Sequence, residues 1–294
     1  MIRAAGILAA LSAALLLAAC GAPEPEPEAP PPSPLLYELA SADGAVEGWL
    51  FGTIHALPEG TEWQSPAIRR AVSEAQVLVV EAAGLDDPAA AALFEERAAA
   101  TGQPALAERV SPALRPVLAE VAGQGGLDLD ALRERDTWAA ALILAQAVRH
   151  GDPAHGVDRA LLEAFAGRPV IELEGLAAQF DLFDTLPERE QRDLLEALLR
   201  DHRRWRGDPG HLARAWLAGD IGQAIDPARS ALLADPELRE TLLTARNRTW
   251  ARQIEAVLAR EPRVMVAVGA GHVPGPDGLA ELLARRGYAL RPLG

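Results

Sequence analysis

Two of the chain's six histidines stand in matching surroundings. His55 lies in "LFGTIHALPEG", three residues after Gly52 and three before Pro58. His272 lies in "AVGAGHVPGPDG", three residues after Gly269 and two before Pro274. Each GxxH follows an apolar run with the pattern of a strand. Glycine permits a sharp turn or a close backbone approach there, so each imidazole is held just beyond a strand end. Two carboxylates are placed alike. Glu81 ends "VLVVE", and Glu174 ends "VIELE" with Glu172 two residues back. Ligands of open α/β sheets bind beyond the carboxyl ends of the strands. Four strand ends delivering His55, Glu81, Glu174 and His272 form a reasonable set for a divalent metal or for acid–base chemistry. The plainer alternative is that the two glutamates cap their strands or pair with arginines.

Stepping outward, these strands are few, short and separated by helical sequence. "LLYELA" and "VEGWLFG" predict a hairpin around "SADGA", and "PAIRRAVSEA" predicts a helix. "VLVVE", "PVIELE" and "RVMVAVG" read as buried parallel strands. "DGLAELLARRG" and "YALRPL" complete the pattern with a helix and a strand. The fold class is α/β: a small, mostly parallel or mixed sheet, with helical sequence over about 88–166 and 176–260 forming a lobe or cap.

The segment 236–260 predicts one helix whose apolar face holds Leu243, Trp250, Ile254 and Val257. Asn247 falls on that face and Arg246 borders it. A polar group facing a core needs partners, since leaving it unsatisfied costs ~1–3 kcal/mol. Either the stripe is off-centre on a surface helix, or Arg246 and Asn247 reach the strand-end site, where an arginine would hold a carboxylate or an oxyanion. His155 and Asp158, in "HGVDRALLEAF", are secondary candidates together with Gly52 and Gly269. His150, His202 and His211 read as solvated, and the tryptophans as core or groove residues. No GxSxG, GxxxxGK[ST] or HExxH motif occurs.

The first nineteen residues carry Arg3, then an apolar run ending in small residues before Cys20. That is the layout of a secretory signal. An ordinary signal with an incidental cysteine is the simple reading. "LAAC" also resembles a bacterial lipobox, which makes Cys20 the lipidated first residue of the mature chain. Cys20 is the only cysteine, so no intramolecular disulfide forms. Residues 21–34 are half proline and predict an extended tether, with the α/β domain spanning 35–294. The expected location is the periplasmic face of the cell envelope, with Gly21 favouring the outer membrane. With 42 acidic against 28 basic residues and a formal charge of −14, nucleic acid is excluded as a partner.

The ordered segments "LFGTIHALPEG", "VLVVEAA", "GVDRALLEAFAGRPVIELEGLAAQF", "TARNRTWARQI" and "MVAVGAGHVPGPDGLAELLARRGY" resemble the TraB/GumN family, relatives of the Tiki metalloproteases. The resemblance implies a divalent-metal hydrolase (Mn, Co or Zn) acting on peptide or protein substrates, cleaving near their N-termini. By motif it makes His55 and His272 metal ligands, Glu81 a ligand or general base, and Glu174 a further acidic member. Arg246 and Asn247 match the family's "RN" pair. The Gly at 175, where a Thr-like residue is expected, is a departure from the pattern. The rival from another class is a non-catalytic lipoprotein that binds haem or a metal, with Tyr37 and Tyr288 the available tyrosine ligands.

Overall fold

The computed structural model describes residues 32–84, 87–224 and 226–293. The expected signal segment, Cys20 and most of the expected tether lie outside the described residues. Strands β1 (Leu36–Ala40) and β2 (Val46–Thr53) form the expected hairpin. β3 (Val77–Val80), β4 (Val170–Glu172) and β5 (Val264–Gly269) follow, and β6 (Ala289–Pro292) closes the chain. The spatial order is β4-β3-β5-β2-β1-β6. β4, β3, β5 and β2 are mutually parallel, while β1 pairs antiparallel with both β2 and β6 and is the one reversed strand among those described. Hence the sheet is mixed, and the four parallel strands finish at the same end.

Period-two alternation sends successive side chains to opposite faces. One face carries Trp49, Phe51, Leu78, Val80, Met265 and Ala267. It packs on helices α1 (Pro66–Glu74), α5 (Val157–Ala164) and α8 (His211–Leu217), the last contributing the fully buried Trp216. The opposite face carries Leu50, Val79, Val264, Val266 and Val268. It packs on α12 (Ala245–Leu258) and α13 (Leu279–Ala284).

A second core, without strands, fills the helical middle. It joins α2 (Pro88–Ala98), α3 (Arg115–Gly125), α4 (Thr137–Ala147), α6 (Leu176–Asp184) and α7 (Glu188–Trp205) around Trp138. Arg109, only 2% exposed, donates to the carbonyls of Pro104, Arg133 and Arg135 and stitches the loops of this lobe together. The short helices α9 (Ile221–Ala224), α10 (Ala231–Ala234) and α11 (Pro236–Arg239) lead back toward α12. Among the described residues, no helix is long and apolar enough to cross a membrane.

Two details depart from the sequence reading. The helix expected over 236–260 is continuous but contains a π turn at Glu240–Thr244. The extra residue rotates the phase, so Thr244 rather than Leu243 is the buried position before Asn247. His202 is not solvated: its side chain is 9% exposed and sits near Glu120.

Candidate functional site

The parallel strands deliver the site as their ends predict. Past β2, the chain turns through His55. Past β3 comes Glu81, and past β4 comes Glu174. β5 ends at Gly269 and passes into a 3₁₀ turn, Ala270–His272. The two GxxH glycines serve different purposes. A Cβ on Gly52 would lie 3.0 Å from the Ala270 Cα, so glycine lets the end of β2 approach the turn that carries His272. The Gly52 carbonyl is also pinned by the Trp216 indole N–H at 2.8 Å. A Cβ on Gly269 would instead point into the site. It would stand 3.2 Å from Glu81 Oε1, 3.8 Å from His272 Cδ2 and 4.0 Å from His55 Nε2. Glycine at 269 therefore keeps clear a small space that both histidines and Glu81 border.

Arg246 lies at the centre of the acidic side of this space. Its guanidinium takes Glu174 as a two-point pair, at 2.8 and 3.1 Å, and donates to Glu81 Oε2 at 3.1 Å. A further N–H donates to the Leu242 carbonyl at 2.9 Å, within the π turn, and lies 3.3 Å from His272 Nε2. The guanidinium also stacks over the Trp250 ring, 4.5 Å from its centroid. The π turn thus has a structural role: it sets the register that aims Arg246 and Asn247 inward, as such turns often do at functional sites. Glu81 has two further partners. Oε1 accepts the Gly269 backbone N–H at 2.7 Å, and Oε2 accepts Gln179 at 3.3 Å.

The histidines are each fixed through Nδ1, by unlike partners. His55 Nδ1 lies 2.8 Å from Asp158 Oδ2, and Thr53 donates to Asp158 Oδ1 at 2.6 Å. The negative charge of Asp158, then its hydrogen bond, raises the pKa of His55 to about 9. His55 is therefore an imidazolium at neutral pH, with Nδ1–H donating to the carboxylate and Nε2–H facing the shared space. Its side chain is 71% exposed, so water screens the pair and little stability rests on it. Burial pushes Asp158 up, but the His55 charge and the hydrogen bonds from His55 and Thr53 outweigh it and keep the carboxyl below its usual range.

His272 is 8% exposed and packs 4.4 Å from the Trp250 ring. Its Nδ1 lies 2.6 Å from Asn247 Oδ1, and Asn247 is oriented in turn by donating to the Asp277 carbonyl at 2.9 Å. Burial, then the Arg246 charge, drives the pKa of His272 well below the ordinary histidine range. It is a neutral ring with Nδ1–H donated to Asn247, which leaves Nε2 to accept from Arg246.

The structure thus gathers Glu81, Glu174, Arg246, His272 and His55 around one space. Asn247 and Asp158 stand behind the two histidines as positioning residues. His155 is not gathered. It lines a separate cavity of about 200 Å³ with Pro58, Trp63 and Glu163. The departure at Gly175 has a local cause: its φ of +79° is left-handed, and its N–H and that of Glu174 both donate to the Glu81 carbonyl. Sequence reading missed Gln179, Thr53 and Trp216. No motif marks them, and only the helical packing brings Gln179 and Trp216 to the sheet end.

A divalent ion was expected here, and its donors can be tested. Among the described residues His55 Nε2 takes no hydrogen bond, but Glu174, Glu81 Oε2 and His272 Nε2 are all engaged by Arg246. Among the described residues, no three His, Cys, Asp or Glu side chains are grouped to hold a metal. As arranged, these carboxylates and the His272 Nε2 are occupied by the Arg246 guanidinium.

The sheet flanked by helices is that of an α/β protein, and its charged cluster lies beyond the parallel strand ends, where ligands bind in open α/β sheets generally. The chain matches the TraB/PrgY/gumN family over residues 35–292, and it belongs to that family. A comparison with curated proteins found no match, nor did one with solved structures.

Proposed function

We propose that this chain is a hydrolase of peptide bonds, held by a lipid on Cys20 at the periplasmic face of the cell envelope. The observation that carries this reading is the space above Gly269, bordered at once by Glu81 Oε1, His272 and His55 Nε2. A reacting carbonyl placed there meets a carboxylate, an imidazolium and, through Glu81 and His272, the Arg246 cation. Glu81 Oε1 accepts only one hydrogen bond and has a lone pair left to take a proton from attacking water. His55 Nε2–H gives its proton to the departing amine. The positive charge of Arg246, whose N–H groups are engaged by Glu81, Glu174, His272 and the Leu242 carbonyl, offsets the developing oxyanion through space. Acid–base groups so placed contribute about 10²–10⁴-fold each.

A second reading keeps the hydrolase but makes it metal-dependent, with Mn²⁺, Co²⁺ or Zn²⁺. One feature favours it: both imidazoles are anchored through Nδ1, the arrangement that accompanies histidine ligation of metals.

Purified chain incubated with a peptide library separates the readings. Under the first, cleavage persists in EDTA and vanishes in His55→Ala. Under the second, EDTA abolishes cleavage and Mn²⁺, Co²⁺ or Zn²⁺ restores it. Cleavage undiminished in His55→Ala sinks both. Absence of cleavage together with a Soret band on haem titration supports the rival haem-binding lipoprotein.

A further inference from the structure

The cavity of about 200 Å³ beside His155 is used by none of the acid–base steps, yet it abuts the loop that carries His55. At ~30 Å³ per water in the liquid, it has room for about seven waters, or for one long side chain. One wall is the segment after His55, with Pro58, Thr61 and Trp63. The other is the 3₁₀ turn Pro153–His155 together with α5, with Ala154, His155 and Glu163. The two walls are clamped at the backbone around His55. The Val157 N–H donates to the Ile54 carbonyl at 2.9 Å, and the Asp152 N–H donates to the Leu57 carbonyl at 2.9 Å. Gly156 also lines the cavity, and a Cβ on it would collide with the His55 carbonyl. Trp63 is held from behind, stacked on Phe51 at 6.1 Å and tilted against Trp216 at 6.2 Å. The cavity is therefore formed in advance, and it shares a wall with the main chain of His55.

Its lining suits a cation on an apolar stem. Pro58, Trp63, Ala154 and Ala160 offer apolar surface. The Thr61 hydroxyl donates to the Pro58 carbonyl at 2.7 Å. Glu163 is exposed, and no arginine is among the described residues that line the cavity. Arg149, whose charge reaches His55, does not line it. The segment 58–63 adds two exposed carboxylates, Glu59 and Glu62, and no basic residue. Lysine and arginine bury their stems on apolar surface while the charged head keeps a polar partner, and an indole ring adds its own attraction for a cation.

We propose that this cavity takes a lysine or arginine side chain of a polypeptide substrate, on the leaving-group side of the bond that is cut. The side follows from His55, whose Nε2–H protonates the departing amine: the residue that supplies that amine, and those after it, lie toward the His55 loop. The placement rests on the hydrolase reading, whereas capture of the side chain can be measured without cleavage.

The test uses the full chain with ¹⁵N-labelled indoles, the Trp63 signal being assigned through Trp63→Phe. The probes are the amides of acetyl-lysine, acetyl-arginine and, as the neutral counterpart, acetyl-norleucine. The Trp63 signal is expected to move with the two basic probes, at a dissociation constant about fivefold below that for norleucine, the upper range for an exposed ion pair. Glu163→Gln should bring the three probes together. In the peptide library, lysine or arginine should be enriched at one fixed position after the cut bond, and Glu163→Gln should lower that enrichment. A Trp63 signal that does not move, equal affinity for norleucine, or a basic preference undiminished in Glu163→Gln overturns the proposal. Cleavage without a basic preference after the cut bond overturns it and leaves the hydrolase standing. A Trp63 response selective for the basic probes, with no cleavage of any peptide, upholds the pocket and sinks the hydrolase.

Discussion

The two GxxH turns begin from the same four-residue pattern and end as chemical opposites. His55 stands at the rim with 71% of its side chain exposed, its Nδ1 against a carboxylate. His272 is buried, its Nδ1 against an amide and its Nε2 beside a guanidinium. The first is raised to about 9 and carries a proton at neutral pH, while the second is held neutral. The pattern fixes where an imidazole sits, just past a strand end. What that imidazole does is set by the residue behind it: Asp158 from α5 in one case, Asn247 and Arg246 from α12 in the other. The glycines divide in the same way, since Gly52 admits a neighbouring backbone and Gly269 clears the floor of the site.

The largest effect is expected at Arg246, which ties the His272 side of the pair to the carboxylates. Arg246→Ala leaves Glu81 and Glu174, only 14% and 15% exposed, facing each other without a cation. Urea unfolding should show a loss of about 3 kcal/mol, near the lower end for breaking a buried pair, and peptide cleavage should disappear. With the cation gone, His272 should also titrate closer to the ordinary range. Full stability in this variant would mean that the cluster is more solvated than described.

Replacing each histidine by alanine separates rim from interior. His272→Ala removes a ring packed on Trp250 and orphans Asn247 Oδ1, so about 2–3 kcal/mol of stability should be lost. His55→Ala should change stability by under about 1 kcal/mol, yet lower the cleavage rate at least about 100-fold. The comparison fails if both variants unfold alike.

Asp158→Asn should leave His55 in place but without its charge partner. Its pKa then falls from about 9 toward ~6.5, the unperturbed value. The alkaline limb of the cleavage profile should move down by the same interval, because His55 acts as the acid and is needed protonated.

The smallest effect is in the pH dependence of stability, where the two histidines work in opposite senses. The raised pKa of His55 gives a small contribution that is complete below ~6.5 and is lost as pH rises through about 9. The lowered pKa of His272 gives a contribution present above ~6.5 and lost as pH falls below it, by at most about 1.4 kcal/mol per pH unit. Denaturant midpoints between pH 5 and 7 should therefore rise with pH, and His272→Gln should flatten that rise.

Much of this arrangement was legible in the chain. Apolar runs ending in His or Glu placed four side chains at strand ends, and parallel pairing brings those ends together. The polar Asn247 on an apolar face signalled a buried partner, which is His272. Even the plain reading of Glu81 and Glu174 as arginine partners holds, since Arg246 pairs with both. Two things were not legible. The π turn that aims Arg246 adds one residue to a helix whose sequence shows no break. The different fates of the two histidines depend on Asp158 and Arg246, which lie 103 and 26 residues away from them in sequence. Local pattern cannot report a charge that arrives from another element, and for that reason the two GxxH turns read as matched imidazoles.

The most direct test of the unlike pair is an NMR titration of the full chain with histidine rings isotopically labelled, assigned through His55→Asn and His272→Gln. His55 is expected to titrate at about 9, and His272 to remain a neutral ring with its proton on Nδ1 throughout the range from pH 6 upward. Two rings titrating together near ~6.5, the value of free histidine, would contradict the account.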